Sequence, residues 1–359
     1  MGRDPARGVR CMSEPEISAQ EAVTLGSRLA GRPVLAAHPA RPGGNNRVFR
    51  LDMAGGSPLS LKCYPPQSID GRDRLGQEYE ALSFLGQQGI TLTPRPIAKD
   101  AAANCALYEW FDGEPAVLRP QADDVEQLAN FLIELQRLCN AEGARDLRNA
   151  SASIFSPAEA VAQYRQRLER LQRAASDHPD LREFLERRLA PSGAAVIRRL
   201  EERYASLGRD PCAPLAMAQR ALSPSDFGLH NALRSQDGQL RFVDFEYFGW
   251  DDPVKLVSDS AIHPGSDLAE ASANRLIERL SAEFEANDPS FAVRRDVLYP
   301  VFGVIWCLII LNDYLPESRS RRVLTAQGGD LKARFAGQLE KARRLHQTVF
   351  ASDPDIAPR

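Results

Sequence analysis

The sequence predicts an α+β protein in which a small strand-rich unit precedes a larger helical unit. Short extended segments separated by Gly- and Pro-containing turns dominate up to about residue 110, and helical periodicity dominates after it. The chain has 359 residues, enough for two packed units of about 100–200 residues each. We therefore expect a strand-rich lobe at residues 16–110, a helical lobe at 111–359 and a disordered N-terminus at 1–15.

The first unit alternates between strands and turns. Strands are predicted at residues 34–37, 47–53, 59–64, 96–99 and 106–110. A helix is predicted between the third and fourth strands, at residues 70–85, because four apolar residues from Leu75 to Leu85 recur at helical spacing. Met1 and Met12 are both candidate start residues, and no apolar signal-peptide core follows either of them closely.

The second unit is mostly helical. Helices are predicted at residues 125–139, 157–174, 181–207, 268–284, 294–315 and 331–350. The apolar run at residues 301–311 is too short to cross a bilayer, so we interpret it as part of a buried core helix. One β-hairpin, at residues 231–245, interrupts this helical region.

Composition narrows the class of protein. The net charge is −3, so no global basic field would attract nucleic acid or an anionic membrane. The six cysteines form no Cys-x-x-Cys pair, and the five histidines are dispersed, which argues against a zinc site. Scattered cysteines within apolar runs are typical of small buried side chains in a reducing compartment, and we therefore expect a cytoplasmic protein. The oligomeric state stays open.

The hairpin carries the strongest chemical pattern. If Asp237 and Gly238 form a two-residue turn, Asn231 lies directly opposite Asp244 across the two strands. Amide and carboxylate oxygens placed side by side suit Mg²⁺, which takes one or two protein ligands in addition to substrate phosphates. Asp226 precedes Asn231 by five residues, where it could accept a proton from an attacking hydroxyl.

This segment resembles a known family. Asp226 and Asn231, separated by four residues and followed by the Val-Asp-Phe-Glu of residues 243–246, are similar to the catalytic segment of the aminoglycoside phosphotransferase/choline kinase superfamily. The resemblance implies a protein-kinase-like fold, with a small β-rich N-lobe and a larger helical C-lobe, and a small-molecule kinase that uses ATP or GTP. It also implies that Asp226 is the catalytic base and that Asn231 and Asp244 are the Mg²⁺ ligands.

The first unit supplies matching nucleotide-binding residues. Gly43, Gly44 and Asn46 lie between two predicted strands and resemble the family's Gly-rich phosphate loop. Lys62 resembles the lysine that holds the α- and β-phosphates, and Glu78 resembles its helix partner. Glu80 is the alternative partner, although it is rotated about 200° around the helix. Glu109 and Phe111 would lie in the hinge between the lobes, near the adenine.

Two positions depart from the family pattern. Pro224 stands where the family usually has a histidine, and Lys255 stands where it often has an acid that braces the catalytic loop. We expect Asp251, Asp252 or Asp259 to replace that brace by accepting a hydrogen bond from the backbone of residues 223–228.

Three functions follow from these patterns. The leading one is a kinase whose acceptor is a small hydroxyl compound: an aminoglycoside, a choline-like amine, an amino alcohol or a sugar. A nucleotide-binding pseudokinase and a protein kinase are the alternatives, although no long activation segment follows Asp244. For four other polar and aromatic residues we expect a structural role and not a catalytic or ligand-binding one: His230, His263, Trp250 and Trp306. Glu246, Asp251 and Asp313 either line an acceptor pocket or are solvated or helix-capping groups.

Overall fold

A five-stranded antiparallel sheet forms the N-terminal lobe of the protein, whose computed structural model describes residues 17–40, 46–67, 71–316 and 331–351. Its strands are β1 Val34–Pro39, β2 Arg47–Met53, β3 Leu59–Cys63, β4 Pro96–Asp100 and β5 Cys105–Glu109. They lie in the order β1-β2-β3-β5-β4, and every pairing is antiparallel. All five strands were predicted from the sequence. The disorder predicted for residues 1–15 lies outside the described residues.

Two helices cover the two faces of this sheet. Helix α1, Ala19–Ala30, packs on the face that carries Leu51, Leu61 and Leu107, and these side chains form a small separate core. Helix α2, Arg74–Gln87, lies on the other face, and its apolar side chains join the large core of the protein. Because side chains alternate along a strand, Lys62 points toward α2 while Leu61 points toward α1.

The bounds of α2 and the presence of α1 differ from the sequence prediction. Helix α2 begins at Arg74 and not near residue 70, because the Asp73 side chain caps it by accepting a hydrogen bond from the Gly76 amide at 2.9 Å. Helix α1 was not predicted. It begins with a capping box in which Ser18 and Glu21 each accept a hydrogen bond from the other's backbone amide.

The C-terminal lobe is mainly helical. Its helices are α3 Asp124–Arg137, α4 Pro157–Ala174, α5 Pro179–Phe184, α6 Ala190–Ser206, α7 Pro253–Ile262, α8 Glu270–Asn287, α9 Phe291–Ile310 and α10 Leu331–Phe350. A π-helical turn, Leu185–Leu189, joins α5 to α6 in one continuous helical segment. Helix α9 lies at the centre of the lobe and packs against α4, α6, α7 and α10.

Helix α9 also has the highest apolar content. Within the described residues, Phe291–Tyr314 is the one helical stretch long and apolar enough to cross a membrane, with a mean hydropathy of 1.7. Two thirds (67%) of the most apolar 18-residue window in that stretch is buried inside the protein, as in the core helix of a globular domain, so it is weak support for a membrane span. Its burial agrees with the core helix predicted from the apolar run.

Short strands join the helices around the predicted hairpin. They are β6 Glu114–Pro115, β7 Ala221–Ser223, β8 Ala232–Arg234, β9 Leu240–Phe242 and β10 Gly249–Asp251. Strands β6, β8 and β9 form one antiparallel sheet, and β7 pairs with β10. The segment between β7 and β8 holds Asp226, and the segment between β9 and β10 holds Asp244.

Candidate active site

Lys62 and Glu78 form a buried pair where the N-lobe meets the C-lobe. The Lys62 ammonium lies 2.6 Å from the Glu78 carboxylate, and only 7% of Lys62 and 3% of Glu78 are exposed. The Tyr64 hydroxyl donates to the same carboxylate at 2.8 Å. The predicted pairing of Lys62 with Glu78 is therefore present. The alternative partner, Glu80, is instead paired with Arg148 in solvent.

Asp244 of the C-lobe contacts the same lysine, Lys62. Its carboxylate is 2.5 Å from the Lys62 ammonium, and the amide of the next residue, Phe245, donates to Glu78 at 3.2 Å. Burial alone would lower the pKa of Lys62, but the carboxylates of Asp244 and Glu78 raise it well above its ordinary value, so Lys62 is charged. Asp244 has a φ of +71°, a left-handed conformation that few non-glycine residues adopt.

Glu246 completes an acidic cluster with Glu78 and Asp244. One carboxylate oxygen from each of these three residues lies within 4.8 Å of the other two. Arg74 donates to one oxygen of Glu246, and the Asn46 amide donates to the other at 2.6 Å. Burial, followed by the charge of Asp244, raises the pKa of Glu246 to about 7. Glu246 is therefore neither solvated nor a helix cap.

The register of the hairpin differs from the prediction by one residue. Ala232 pairs with Phe242 and Arg234 with Leu240, so the loop has three residues, 236–238, and not two. Gly238 adopts a φ of +84°, as in three-residue hairpin loops that end in a left-handed residue. Asn231 therefore lies opposite Val243, whose amide donates to the Asn231 carbonyl at 2.9 Å.

The predicted face-to-face placement of Asn231 and Asp244 is therefore wrong in detail. Asn231 and Asp244 are still offset by only one residue across the hairpin, because Asp244 directly follows Val243, the residue opposite Asn231. The regular strand ends at Phe242, and the left-handed backbone of Asp244 breaks the alternation on which the prediction relied. The Asn231 amide donates to the Asp226 backbone carbonyl at 2.9 Å, which joins the metal-ligand candidate to the loop of the candidate base.

Two histidines hold the side chain of Asp226. His230 Nε2 lies 2.8 Å from Asp226 Oδ1, and His263 Nε2 lies 3.1 Å from the same oxygen. The two imidazole rings stack in parallel, with centroids 4.1 Å apart and planes 5° apart. Burial alone would raise the pKa of Asp226, but the hydrogen bonds from His230 and His263 lower it well below its usual range.

These histidines were missed as site residues by the sequence analysis, which kept structural interpretations for both. His230 carried an available signal, because it lies four residues after Asp226 in the same loop. His263 follows Asp226 by more than thirty residues, at the end of α7, and no local pattern links the two. Trp306 also adjoins the site, since its ring meets His263 edge-on at 4.5 Å and its N–H donates to Asp259 at 2.7 Å.

The expected compensation for Lys255 is not found. Asp251 accepts hydrogen bonds from the amides of Ile154 and Asp252, and Asp252 accepts them from Val254 and Arg294. Asp259 binds Lys255 at 2.6 Å and Trp306. Within the described ranges, none of the three aspartates accepts a hydrogen bond from the backbone of residues 223–228.

Serine hydroxyls support that loop in place of an aspartate. The Ser225 amide donates to the Ser223 hydroxyl at 3.1 Å, and the Leu229 amide donates to the Ser266 hydroxyl at 3.1 Å. The compensation prediction failed because Lys255 is itself buried and binds both Asp251, at 3.1 Å, and Asp259. The other contacts of these two carboxylates also lie away from the loop, because Asp251 holds the Ile154 amide and Asp259 accepts from Trp306.

The structure describes three of the five remaining nucleotide-binding candidates. Gly43 and Gly44 lie outside the described residues. Asn46 contacts Glu246, as noted above, and its side-chain oxygen is buried with no hydrogen-bond partner among the described residues. Glu109 ends β5, and the Phe111 ring is buried beneath the Arg241 guanidinium at 4.8 Å. Their roles at the adenine stay predictions.

Comparison with known proteins identifies the family of the chain. Residues 37–255, more than half of the chain, match the model of the phosphotransferase enzyme family (APH). No curated protein sequence matches the chain closely enough to count as a relative.

Solved structures share the fold at low sequence identity. Spectinomycin phosphotransferase APH(9)-Ia in complex with ADP and spectinomycin has a TM-score of 0.60 and 14% identity, over 94% of this chain and 99% of that one. Choline kinase LicA from Streptococcus pneumoniae has a TM-score of 0.54 and 16% identity, over 92% and 99%. Macrolide 2'-phosphotransferase MphH from Brachybacterium faecium has a TM-score of 0.51 and 16% identity, over 89% and 97%.

The family match confirms the resemblance found in the sequence, and these folds confirm the predicted α+β architecture of two kinase-like lobes. An enzyme of the transferase class was also predicted, and the family is one of such enzymes. The chain belongs to the phosphotransferase enzyme family.

Proposed function

We propose that the protein transfers the γ-phosphoryl group of ATP, or of GTP, to a hydroxyl of a small molecule in a Mg²⁺-dependent reaction. The observation that carries this proposal is the convergence of charges from both lobes. Lys62 is bonded to Glu78 of the N-lobe and to Asp244 of the C-lobe. Asp226 and Asn231 adjoin this point, because Asn231 is hydrogen-bonded both to Asp226 and to Val243.

Asn231 and Asp244 are the residues that would hold Mg²⁺. Both offer hard oxygen donors, as this ion prefers. The Asn231 amide nitrogen is engaged by the Asp226 carbonyl, while its side-chain oxygen accepts no hydrogen bond from the described residues and stays available. When bound, Mg²⁺ supplies positive charge that offsets the charge of the phosphates.

The remaining roles belong to the chain's own side chains. Lys62, oriented by Glu78, binds phosphate oxygens of the nucleotide, and Asp226 accepts the proton of the attacking hydroxyl. The N-lobe at residues 16–110 contributes the nucleotide contacts, and the C-lobe at 111–359 contributes the catalytic and acceptor contacts. The other nucleotide contacts in this proposal are Gly43, Gly44 and Asn46 at the phosphates and Glu109 and Phe111 at the adenine.

The structural neighbours suggest a range of small-molecule acceptors and not one compound. Those proteins are named for spectinomycin, choline and macrolides, so their names do not single out one acceptor. We propose a cytoplasmic enzyme whose acceptor is an aminoglycoside, a choline-like amine, an amino alcohol or a sugar. A net charge of −3 supports small-molecule partners and not nucleic acid or an anionic membrane surface.

Replacement of Asp226 by Asn tests the proposal. The amide keeps the shape of the carboxylate and removes its charge, so turnover should fall by roughly 10²–10⁴-fold, the scale of general acid–base assistance. Affinity for ATP–Mg²⁺ should change little. The acceptor is first found by coupled detection of ADP against a panel of amines, amino alcohols, sugars and aminoglycosides. Affinity is then measured by calorimetry.

Asp237→Asn is the matched control, because Asp237 is exposed at the tip of the same hairpin and contacts only its own loop. It should leave turnover unchanged. Full activity of Asp226→Asn would show that the base is assigned wrongly.

A nucleotide-binding protein without transfer activity is the second candidate. Pro224 and Lys255 favour it, because they alter the surroundings of the catalytic loop. The histidine contacts of Asp226 favour the kinase, because both hold the carboxylate through Oδ1, and among the described residues no hydrogen bond engages Oδ2. ATP–Mg²⁺ binding without ADP release on any acceptor of the panel would support the second candidate.

A further inference from the structure

The His230 and His263 rings form an ordered cluster with Asp226 that the proposed reaction does not by itself require. Both Nε2 atoms lie within hydrogen-bonding distance of one carboxylate oxygen, Oδ1. Among the described residues, no hydrogen bond engages the other oxygen, Oδ2. The cluster is largely shielded from solvent, with side-chain exposures of 33% for Asp226, 18% for His230 and 13% for His263.

The tautomer of His263 follows from its second nitrogen. The Gly265 backbone amide donates to His263 Nδ1 at 3.0 Å, and a backbone N–H can only donate. Nδ1 is therefore an acceptor, and the ring proton of the neutral imidazole is on Nε2, facing Asp226. Burial lowers the pKa of His263, which agrees with a neutral ring.

His230 also presents an N–H to Asp226, for a different reason. An ionised carboxylate can only accept hydrogen bonds, so His230 Nε2, which lies 2.8 Å from Asp226 Oδ1, carries a proton. On the other side of the ring, Nδ1 lies 3.3 Å from the Ser266 hydroxyl, which accepts a hydrogen bond from the Leu229 amide at 3.1 Å. Asp226 Oδ1 thus accepts one N–H donor from each ring.

This pattern differs from that of a metal centre. Asp226, His230 and His263 place three possible ligand atoms within 4.8 Å of one another. A metal on His263 Nε2 would require the ring proton on Nδ1, where it would face the Gly265 N–H. Histidines that bind metals donate that proton to an acceptor, and here the neighbouring group is a donor.

The fold fixes the two rings independently of Asp226. Trp306 meets His263 edge-on and is held by Asp259, which is bound in turn to the buried Lys255. A side chain at position 228 would collide with Ser266, since a Cβ there would lie 1.7 Å from the serine hydroxyl. Gly228 thus permits the close approach of Ser266 to His230.

We propose that His230 and His263 are positioning residues for the phosphoryl transfer. They hold Asp226 through Oδ1 so that Oδ2 faces the acceptor hydroxyl and receives its proton. The inference rests on the proposed role of Asp226 as the base. In the step itself, the acceptor oxygen bonds to the γ-phosphorus, the bond from that phosphorus to the β–γ bridging oxygen breaks, and the acceptor proton moves to Oδ2.

Nuclear magnetic resonance of the imidazole nitrogens tests the tautomers without any activity assay. Spectra of the ¹⁵N-labelled full chain at neutral pH should show a protonated Nε2 for both rings and an unprotonated Nδ1 for His263, with assignments from His230→Gln and His263→Gln. An Nδ1–H tautomer for His263 would overturn the proposal. Loss of the Nε2 protons on addition of equimolar Zn²⁺ would also overturn it, because the cluster would then be a metal site.

Kinetics then test the positioning role, with water as the acceptor. The measured rate is release of ADP from MgATP. His263→Phe keeps an aromatic ring against His230 and removes the N–H donor, so the rate should fall by up to about 10²-fold, the scale of a misplaced catalytic group. KM for ATP should not change. His263→Gln keeps a donor and should recover much of the loss, and the exposed His38→Gln is the control.

A double-mutant cycle separates positioning from structural support. In the Asp226→Asn background, His263→Phe should cause no further loss, because the two changes act on one group. A further loss of equal size would overturn the positioning role, and so would full activity of His263→Phe in the native background. Full activity of Asp226→Asn alone would instead remove the proposed function, and the positioning role with it.

Discussion

Lys62 shows how single residues determine the electrostatics of the site. Its ammonium is almost fully buried, which is costly for an unpaired charge, and the carboxylates of Glu78 and Asp244 offset that cost. Since one carboxylate comes from each lobe, the same contact that neutralises Lys62 also joins the lobes. Lys62 and Glu78 could be found from the sequence, because each resembles a residue of the family and the two lie in a strand and in the helix that follows it. It could not predict His263, whose place beside Asp226 depends on tertiary packing.

Loss of the Lys62 charge should therefore affect both stability and binding. In Lys62→Met, Glu78 is left buried without its ammonium, so the free energy of unfolding should fall by about 3–5 kcal/mol. Binding of ATP should also weaken, because a contact with the phosphates is lost. Urea denaturation and calorimetry measure the two effects. Lys341→Met, on the exposed face of α10, is the control, and an equal loss in both variants would contradict the proposed pairing.

At the scale of elements, local sequence patterns predicted most helices and strands. They failed for elements whose position or register depends on tertiary packing. Helix α7 is buried on all sides, so it has no amphipathic period to detect, although Asp252 and Pro253 mark its start. The hairpin was found from Asp237-Gly238, but its register depends on the left-handed residue at Gly238 and not on the dipeptide alone. Strands of three residues, such as β7 and β10, carry too little pattern to be found.

Replacement of two helical glycines by alanine should change the stability of the protein in opposite directions. A Cβ at Gly26 of α1 would lie 2.4 Å from Leu51 in the small core, so Gly26→Ala should destabilise the protein by about 1–3 kcal/mol. A Cβ at Gly86 of α2 meets no atom within 4 Å, and Gly86→Ala should stabilise by about 0.4–1 kcal/mol. Chemical denaturation of both variants is the measurement. Stabilisation by Gly26→Ala would contradict the close packing of α1 on the sheet.

Docking of α10 should depend on pH through His346. Burial, followed by the charge of Arg188, lowers the pKa of His346 to about 4, and its Nε2 lies 2.7 Å from the Ser192 hydroxyl of α6. The unfolded chain takes up a proton near pH 6.5, whereas the folded protein resists it until about pH 4. Stability from this group is therefore complete above pH 6.5 and is lost as the pH falls toward 4.

The loss should amount to about 2 kcal/mol once partial solvent screening is allowed for. Urea midpoints of the native protein and of His346→Gln, measured between pH 8 and pH 5, give the comparison. The difference in stability between the native protein and His346→Gln should shrink as the pH falls, because histidine in the unfolded native chain takes up a proton and glutamine does not. A constant difference across that range would mean that His346 is not buried as a neutral ring.

At the scale of the whole molecule, the two lobes share one core and one charged cluster. Apolar side chains of α2 and β5, including Leu82, Leu85 and Tyr108, belong to the same core as those of the C-lobe helices. Across the lobes, Lys62 binds Asp244, Arg74 binds Glu246, and the Phe245 amide binds Glu78. The sequence predicted two lobes from their composition, but the contacts between them join residues more than 160 positions apart and have no local signature.

Nucleotide with Mg²⁺ should therefore stabilise the molecule as a unit. A ligand at 100 times its Kd adds about 2.7 kcal/mol to the free energy of unfolding, and a single transition should move to higher temperature. Asp244→Ala should remove the part of this shift that depends on Mg²⁺, since Asp244 would hold the ion, while Asp237→Ala on the same hairpin should keep it. Thermal unfolding with ATP, with and without Mg²⁺, measures both. A full Mg²⁺-dependent shift in Asp244→Ala would locate the ion elsewhere. A shift confined to one of two separate transitions would mean that the lobes unfold independently in spite of their shared core.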